Sequence, residues 1–276
     1  MRLVVAVLLT ICSIGAFAQR PQYPDVIYVP TPQEVVDKML EIARVGKGDV
    51  LYDLGSGDGR IPVTAAKRFG IRAVGIDIDP ERIREANENA KKNGVTNLVQ
   101  FRQEDLFKTN FSDATVVTLY LLPDLNVKLR PRLFAELKPG TRIISHDYPL
   151  TGWIPEKYVQ MDLDDKVQIS GVTTTLIYMY VVPANVAGSW SAVMPPALSK
   201  QPATLNLRQQ LTRVTGSARL DGKDVPLEDA KLRGDRLSFK LAGRKGEFTG
   251  QVKGKSIEGT FDGGGAKAPW SASLGS

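Results

Sequence analysis

The stretch Val50-Leu51-Tyr52-Asp53-Leu54-Gly55-Ser56-Gly57-Asp58-Gly59-Arg60 decides how this chain folds. An apolar run closes on an acid, three glycines follow at alternate positions, and a helical apolar pattern starts at Ile61. A strand, a glycine turn and a helix N-terminus are the parts of a nucleoside-binding crevice in an open α/β sheet. Glycine admits positive φ and lets a ligand lie against bare backbone. A dinucleotide site spaces its glycines Gly-x-Gly-x-x-Gly and aims a helix dipole at a pyrophosphate. Here the spacing is Gly-x-Gly-x-Gly, and Asp53 stands two residues before Gly55. A carboxylate at that point suits a cationic or amine-bearing ligand better than a phosphate.

Two more acids keep step with Asp53. Ala73-Val74-Gly75-Ile76-Asp77 reads as a second strand ending in an acid. It comes about 20 residues on, where a ribose-diol acceptor belongs. Gln103-Glu104-Asp105-Leu106-Phe107 follows a third strand over 97–102. An acid there accepts from an adenine amino group while Leu106 or Phe107 packs on the ring. Singly, each acid reads as well as an ordinary strand-end turn residue. Together, with Gly55, Gly57 and Gly59, they point to one adenosine-sized cleft at the strand C-termini. S-adenosylmethionine (AdoMet), with a sulfonium and an α-amino group, matches the charge of that cleft.

On these residues the chain from 28 to about 183 resembles a class I, seven-strand AdoMet-dependent methyltransferase. It is similar in particular to small protein-lysine methyltransferases that act on the ATP synthase rotor subunit, and more distantly to the non-SET histone-lysine methyltransferases. The closer match rests on Tyr28-Val29-Pro30-Thr31-Pro32, on Asp53 through Arg60, on the stretch 119–123 with Leu137-Lys138-Pro139-Gly140 after it, and on Trp153 before Pro155. The resemblance implies AdoMet as cofactor and an N-terminal arm and helix that cover it. It also implies cofactor contacts from Tyr28, Thr31, Asp53, Gly55, Ser56, Gly57, Gly59, Asp77, Ile78, Glu104, Asp105, Leu106 and Leu119, with a protein lysine as methyl acceptor.

Methyl transfer to an amine needs an aligned lone pair and a partly dry channel that favours neutral lysine. The fourth-strand exit reads Thr118-Leu119-Tyr120-Leu121-Leu122-Pro123. It is not Asn/Asp-Pro-Pro-Tyr, the motif that holds a planar amide or base nitrogen, which argues against nucleic-acid base methylation. Tyr120, Leu121, Leu122 and Pro123 suit an apolar wall for a lysine stem, or sheet core. His146, the sole histidine, falls at the end of the fifth strand beside Asp147 and Tyr148. It reads as a general base, an orienting group or a hydrogen-bonded structural residue. Tyr120 and His146 are therefore the catalytic candidates. No residues have metal-ligand spacing, so no metal is expected. Asp162, Asp164 and Asp165 read as a solvated turn. Two rival functions share the cleft: an exported nucleoside-binding protein without catalysis, and a small-molecule or lipid methyltransferase.

Residues 1–18 look like an export signal. Arg2 is a positive start, 3–14 an apolar core too short to span a bilayer, and Ala16-Phe17-Ala18 a cleavage site before Gln19. Ile11 before Cys12 is too large for a lipidation site. Export to the periplasm or outside the cell is therefore expected. Cys12 is the only cysteine, so the cleaved chain has no disulfide and no thiol nucleophile. The expected domains are a methyltransferase unit over 19–184 and an antiparallel β unit over 185–276. The first carries 21 basic and 22 acidic residues, net −1, and the second 14 and 8, net +6. The basic surplus suits an anionic envelope partner, although lysines on strands also keep β domains soluble.

Helices are expected from Thr31, with Thr31 as cap, and over 60–69, 80–93 and 124–137, the last interrupted early by Pro131. Strands are expected over 49–54, 72–77, 97–102, 114–122, 141–146, 157–162 and 173–182. The fold class is α/β, a doubly wound Rossmann-like seven-strand domain. Beyond residue 185, strands over 204–209, 213–220, 227–232, 236–241, 247–252, 256–261 and 269–273 suggest a small lipocalin-like barrel or curled sheet. Trp190 and Trp270 are expected to meet across its closure.

Overall fold

A computed structural model describes residues 28–163, 171, 173–265 and 267–275. The expected export segment, Cys12 included, lies outside them, as do Asp164 and Asp165. The described residues form two sheets. The first is built from β1 (Val50–Leu54), β2 (Arg72–Asp77), β3 (Val99–Gln103), β4 (Val116–Leu119), β5 (Arg142–His146), β6 (Lys157–Asp162) and β7 (Thr174–Val181). Their spatial order is β3-β2-β1-β4-β5-β7-β6. β1 to β5 pair in parallel, and β7 runs antiparallel between β5 and β6. The chain reverses direction in the sheet beside β1, and that switch opens a crevice above the strand C-termini.

Among the described residues, four helices cover the faces: α1 (Gln33–Ile42), α2 (Arg60–Phe69), α3 (Pro80–Lys92) and α4 (Pro123–Glu136). Val35, Val36, Met39, Leu40 and Ile42 of α1 pack against Ile144, Ile177 and Met179 of the sheet. Full burial of each such side chain contributes about 1.5–3 kcal/mol. Asp79 caps α3 by accepting from the Glu81 N–H, with Pro80 in the first turn. Thr31, by contrast, is not a cap: α1 starts one residue later than expected with Pro32 at its N-cap, and the Thr31 hydroxyl lies 3.3 Å from His146 Nδ1. Nor does Pro131 interrupt α4, which runs through it. The helix bond that proline removes would have ended on the carbonyl of Val127, an exposed residue.

The second sheet is a closed eight-strand barrel: β8 (Gly188–Val193), β9 (Ala203–Gln210), β10 (Arg213–Leu220), β11 (Lys223–Arg233), β12 (Arg236–Leu241), β13 (Glu247–Lys253), β14 (Ser256–Asp262) and β15 (Lys267–Leu274). Neighbours in sequence pair antiparallel, and β15 closes on β8. Closure thus comes as expected, but the tryptophans do not form a seam. Trp190 stands opposite Leu274 and Trp270 opposite Gly259. Phe239 and Phe248 stack on one another, and Trp270 stands edge-on to both rings. A Cβ on Gly259 would fall 2.5 Å from its indole nitrogen, so only glycine lets the ring lie there. Large side chains fill the interior, leaving the barrel a packed core.

The barrel meets the first sheet at the N-terminal edge of β5. The Ala184 N–H donates to the Gly234 carbonyl, and Arg233 pairs with Glu156 at 3.1 Å. This is the sheet end opposite the strand C-termini.

Candidate active site

A cavity of about 560 Å³ opens above the C-terminal ends of β1, β2 and β4, within the range of small-molecule sites. Asp53 and Asp77 both line it. So do Tyr28, Thr31, Gly55, Ser56, Ile78, Glu104, Asp105, Leu106 and Tyr120. Leu119 does not: it is fully buried in the core cluster that also holds Leu54 and Val117. Gly57 and Gly59 lie outside the lining as well, because they serve the turn itself. The Gly57 N–H donates to Asp77 Oδ2 at 2.8 Å, and a Cβ on Gly57 (φ 51°) would collide with the Tyr28 ring at 2.2 Å. Gly59 is the N-cap of α2.

Asp53, 2% exposed, accepts from the Thr118 hydroxyl at 2.7 Å. Burial pushes its carboxyl up to about 8. The Thr118 hydrogen bond opposes that rise, and the charges of Asp77 and Asp58 add to it. Asp77 fixes the loop with both oxygens, since Oδ1 accepts from the Asp79 N–H. Asp105 Oδ1 accepts from the Phe107 N–H, and Glu104 accepts from the Thr109 hydroxyl. Tyr28 rests on the glycine turn with the Arg82 guanidinium 4.7 Å over its ring. Arg60 ties the arm down by donating to the Thr31 carbonyl while pairing with Asp58. Burial alone would raise Asp58, but the hydrogen bonds and charge of Arg60 hold it below the usual carboxylate range.

The structure adds residues that sequence reasoning missed: Arg60, Arg82, Leu125 and Lys128 also line the cavity. Leu125 and Lys128 sit on α4, and only packing shows which face of that helix meets the cleft. Tyr120 forms one wall, its phenol pushed upward by burial and by Asp147, so it stays protonated at neutral pH. His146 does not line the cavity. It is fully buried behind Tyr120, ring centroids 4.0 Å apart, with Nε2 2.7 Å from the Thr175 hydroxyl. That placement does not suit a base that meets substrate.

A family model described as the ANTKMT methyltransferase domain matches residues 53–157. A "Protein-lysine N-methyltransferase" from Saccharolobus islandicus is 47% identical over 160 residues, covering 58% of this chain and 95% of that protein. The chain belongs to this methyltransferase family. An ATP synthase c-subunit lysine N-methyltransferase from Xenopus laevis is 33% identical over 129 residues, 47% of this chain and 56% of that protein. The chain thus spans just over half of that relative's length. A crystal structure described as an RNA methyltransferase from Salinibacter ruber, in complex with S-adenosyl-L-homocysteine, is 51% identical. It covers 57% of this chain and 96% of its own, with a TM-score of 0.51. The protein is an AdoMet-dependent methyltransferase of the seven-strand class.

The cavity fits that cofactor. A buried, singly hydrogen-bonded carboxyl at Asp53 answers a cationic amine. The bare Gly55 backbone and the Asp77 carboxylate answer a nucleoside.

Proposed function

We propose that this methyltransferase acts on lysine side chains of a protein acceptor. The observation that carries the reading is the charge and shape of the cavity. Asp53, Asp58, Asp77, Asp79, Glu104 and Asp105 line it against Arg60, Arg82 and Lys128, with Tyr120, Leu121 and Leu125 as its less polar wall. An acid-rich mouth attracts a lysine cation and repels a polyanion such as RNA. When bound, AdoMet would supply a methyl carbon on a positively charged sulfur: an amine nitrogen would bond to that carbon as the C–S bond breaks, S-adenosylhomocysteine would leave, and the positive charge would pass to the methylated amine. Asp53 would hold the cofactor's α-ammonium, Asp77 its ribose and Asp105 its adenine amino group. Tyr28 and Thr31 would close over it and exclude water. Low polarity around Tyr120 and Leu121 favours the neutral amine, and the Tyr120 oxygen orients it.

Labelled AdoMet incubated with purified protein and an envelope extract tests the reading. Label recovered as methyl-lysine supports it. Label in RNA or in an organic-soluble product, with none on protein, would sink it. The reading also includes export, for which mature protein beginning at Gln19 in an envelope fraction is the expected finding. We assign the barrel, net +6 and hung from the sheet end away from the cavity, to an anionic envelope surface. Salt-sensitive binding of the full chain to vesicles rich in anionic lipid, and none to neutral vesicles, is expected.

A further inference from the structure

A chain of hydrogen bonds runs behind the cavity from the arm to the acceptor wall. The Thr31 hydroxyl lies 3.3 Å from His146 Nδ1, and His146 Nε2 lies 2.7 Å from Thr175 Oγ1. Thr175 donates to Asp147 Oδ1 at 2.9 Å, and the Tyr120 hydroxyl donates to Asp147 Oδ2 at 3.4 Å. Thr31 and Tyr120 face the cavity, whereas His146 and Thr175 are fully buried. Asp147 sits in the left-handed region (φ 58°), a conformation few non-glycine residues adopt. Its Oδ1 also accepts from the Leu176 N–H at 3.0 Å.

The polarity of the chain follows from its acceptor end. A carboxylate only accepts, so the single Thr175 proton points to Asp147, and the Thr175 oxygen accepts from His146 Nε2–H. His146 Nε2 also lies 3.5 Å from Asp147 Oδ2, and in the neutral ring Nδ1 carries the lone pair and accepts from Thr31. Tyr120 gives its own proton to Asp147, which leaves the phenol's lone pairs for a partner in the cavity. An amine that donates one N–H to that oxygen keeps its nitrogen lone pair for the methyl carbon.

We propose that His146, Thr175 and Asp147 are positioning residues that couple the cofactor wall to the acceptor wall. Seating of Thr31 against bound cofactor sets the Tyr120 hydroxyl for the incoming amine. The proposal rests on the lysine reading for the identity of the acceptor, but the coupling itself does not need an acceptor to be seen.

Two measurements on the full chain test it. Hydrogen exchange with saturating S-adenosylhomocysteine should slow the Leu176 amide, which lies outside the cavity, by at least threefold. Thr31→Val at the same saturation should abolish that slowing. Equal protection in Thr31→Val, or none in the wild type, overturns the proposal. With poly-L-lysine as probe acceptor, Thr175→Val should lower kcat at least tenfold while S-adenosylhomocysteine affinity stays within twofold, and Thr175→Ser should restore kcat. Unchanged kcat in a folded Thr175→Val protein overturns the proposal too. Coupling seen by exchange without any methyl transfer by the wild type leaves the relay standing and removes the lysine reading.

Discussion

The two sheets of this protein handle their ends in opposite ways. The parallel sheet is open: it reverses strand order beside β1 and leaves a cleft where Asp53 and Asp77 emerge. The barrel is closed, and its inward positions hold Trp190, Phe239, Phe248 and Trp270 instead of a cavity. An open sheet must cover its faces with helices, and the loops that lead into those helices become the site. A closed antiparallel sheet satisfies its own edges without helices. The cofactor cleft therefore sits where the sheet is unfinished, and the barrel hangs from the far end of it.

If the two regions are energetically separate, the largest effect comes from the barrel core. Trp270→Ala should destabilise the barrel by about 3–5 kcal/mol, read as an earlier unfolding step by calorimetry. AdoMet affinity should not change, and a matching loss of affinity would show that the two regions are coupled.

Asp53→Asn should do the reverse. It should weaken cofactor binding by about 2–5 kcal/mol in titration calorimetry, with the barrel transition unmoved. Next in size is a pH effect. Asp53 must lose its proton to pair with a cationic amine, and its carboxyl titrates at about 8. AdoMet affinity should therefore rise close to tenfold between about pH 6 and 7, and Asp53→Asn should flatten the profile. Without cofactor the sign for stability is opposite. The folded protein keeps a proton that the unfolded chain releases near 3.8, so this group's contribution to stability falls as pH rises from there to about 8. The smallest effect belongs to the joint between regions. Arg233 is mostly exposed in its pair with Glu156, so Arg233→Ala should cost less than about 1 kcal/mol and leave cofactor affinity alone. Melting curves with and without AdoMet check both statements.

The strands and helices around the cleft were legible because each carries a local signal. Asp53 and Asp77 end apolar runs, Pro80 opens α3, and Gly55, Gly57 and Gly59 mark one turn. The barrel strands were legible as short runs at regular spacing, yet β8 was missed as a strand and β11 was placed too short. β11 contains Pro226 and a bulge between Glu228 and Lys231, where Asp229 has φ 52°. Those features look like strand ends when only neighbours are known. Leu119 and the choice among the three readings of His146 were harder to place for a related reason. Both residues stand at strand exits, but side chains there alternate between faces, and pairing decides which face is the cleft.

The order of residues along the chain was enough to determine the seven-strand class, the cofactor cleft and the change to antiparallel β structure after residue 185. These depend on short local patterns that keep step along the chain, and on motifs shared with the family it resembles. Only the tertiary structure decided that Thr31 faces His146 instead of capping α1, that Arg82 and Lys128 reach the cavity, and that the barrel lies opposite it. Each of those depends on contacts between segments tens of residues apart, whose energy comes from packing and burial that no local pattern encodes.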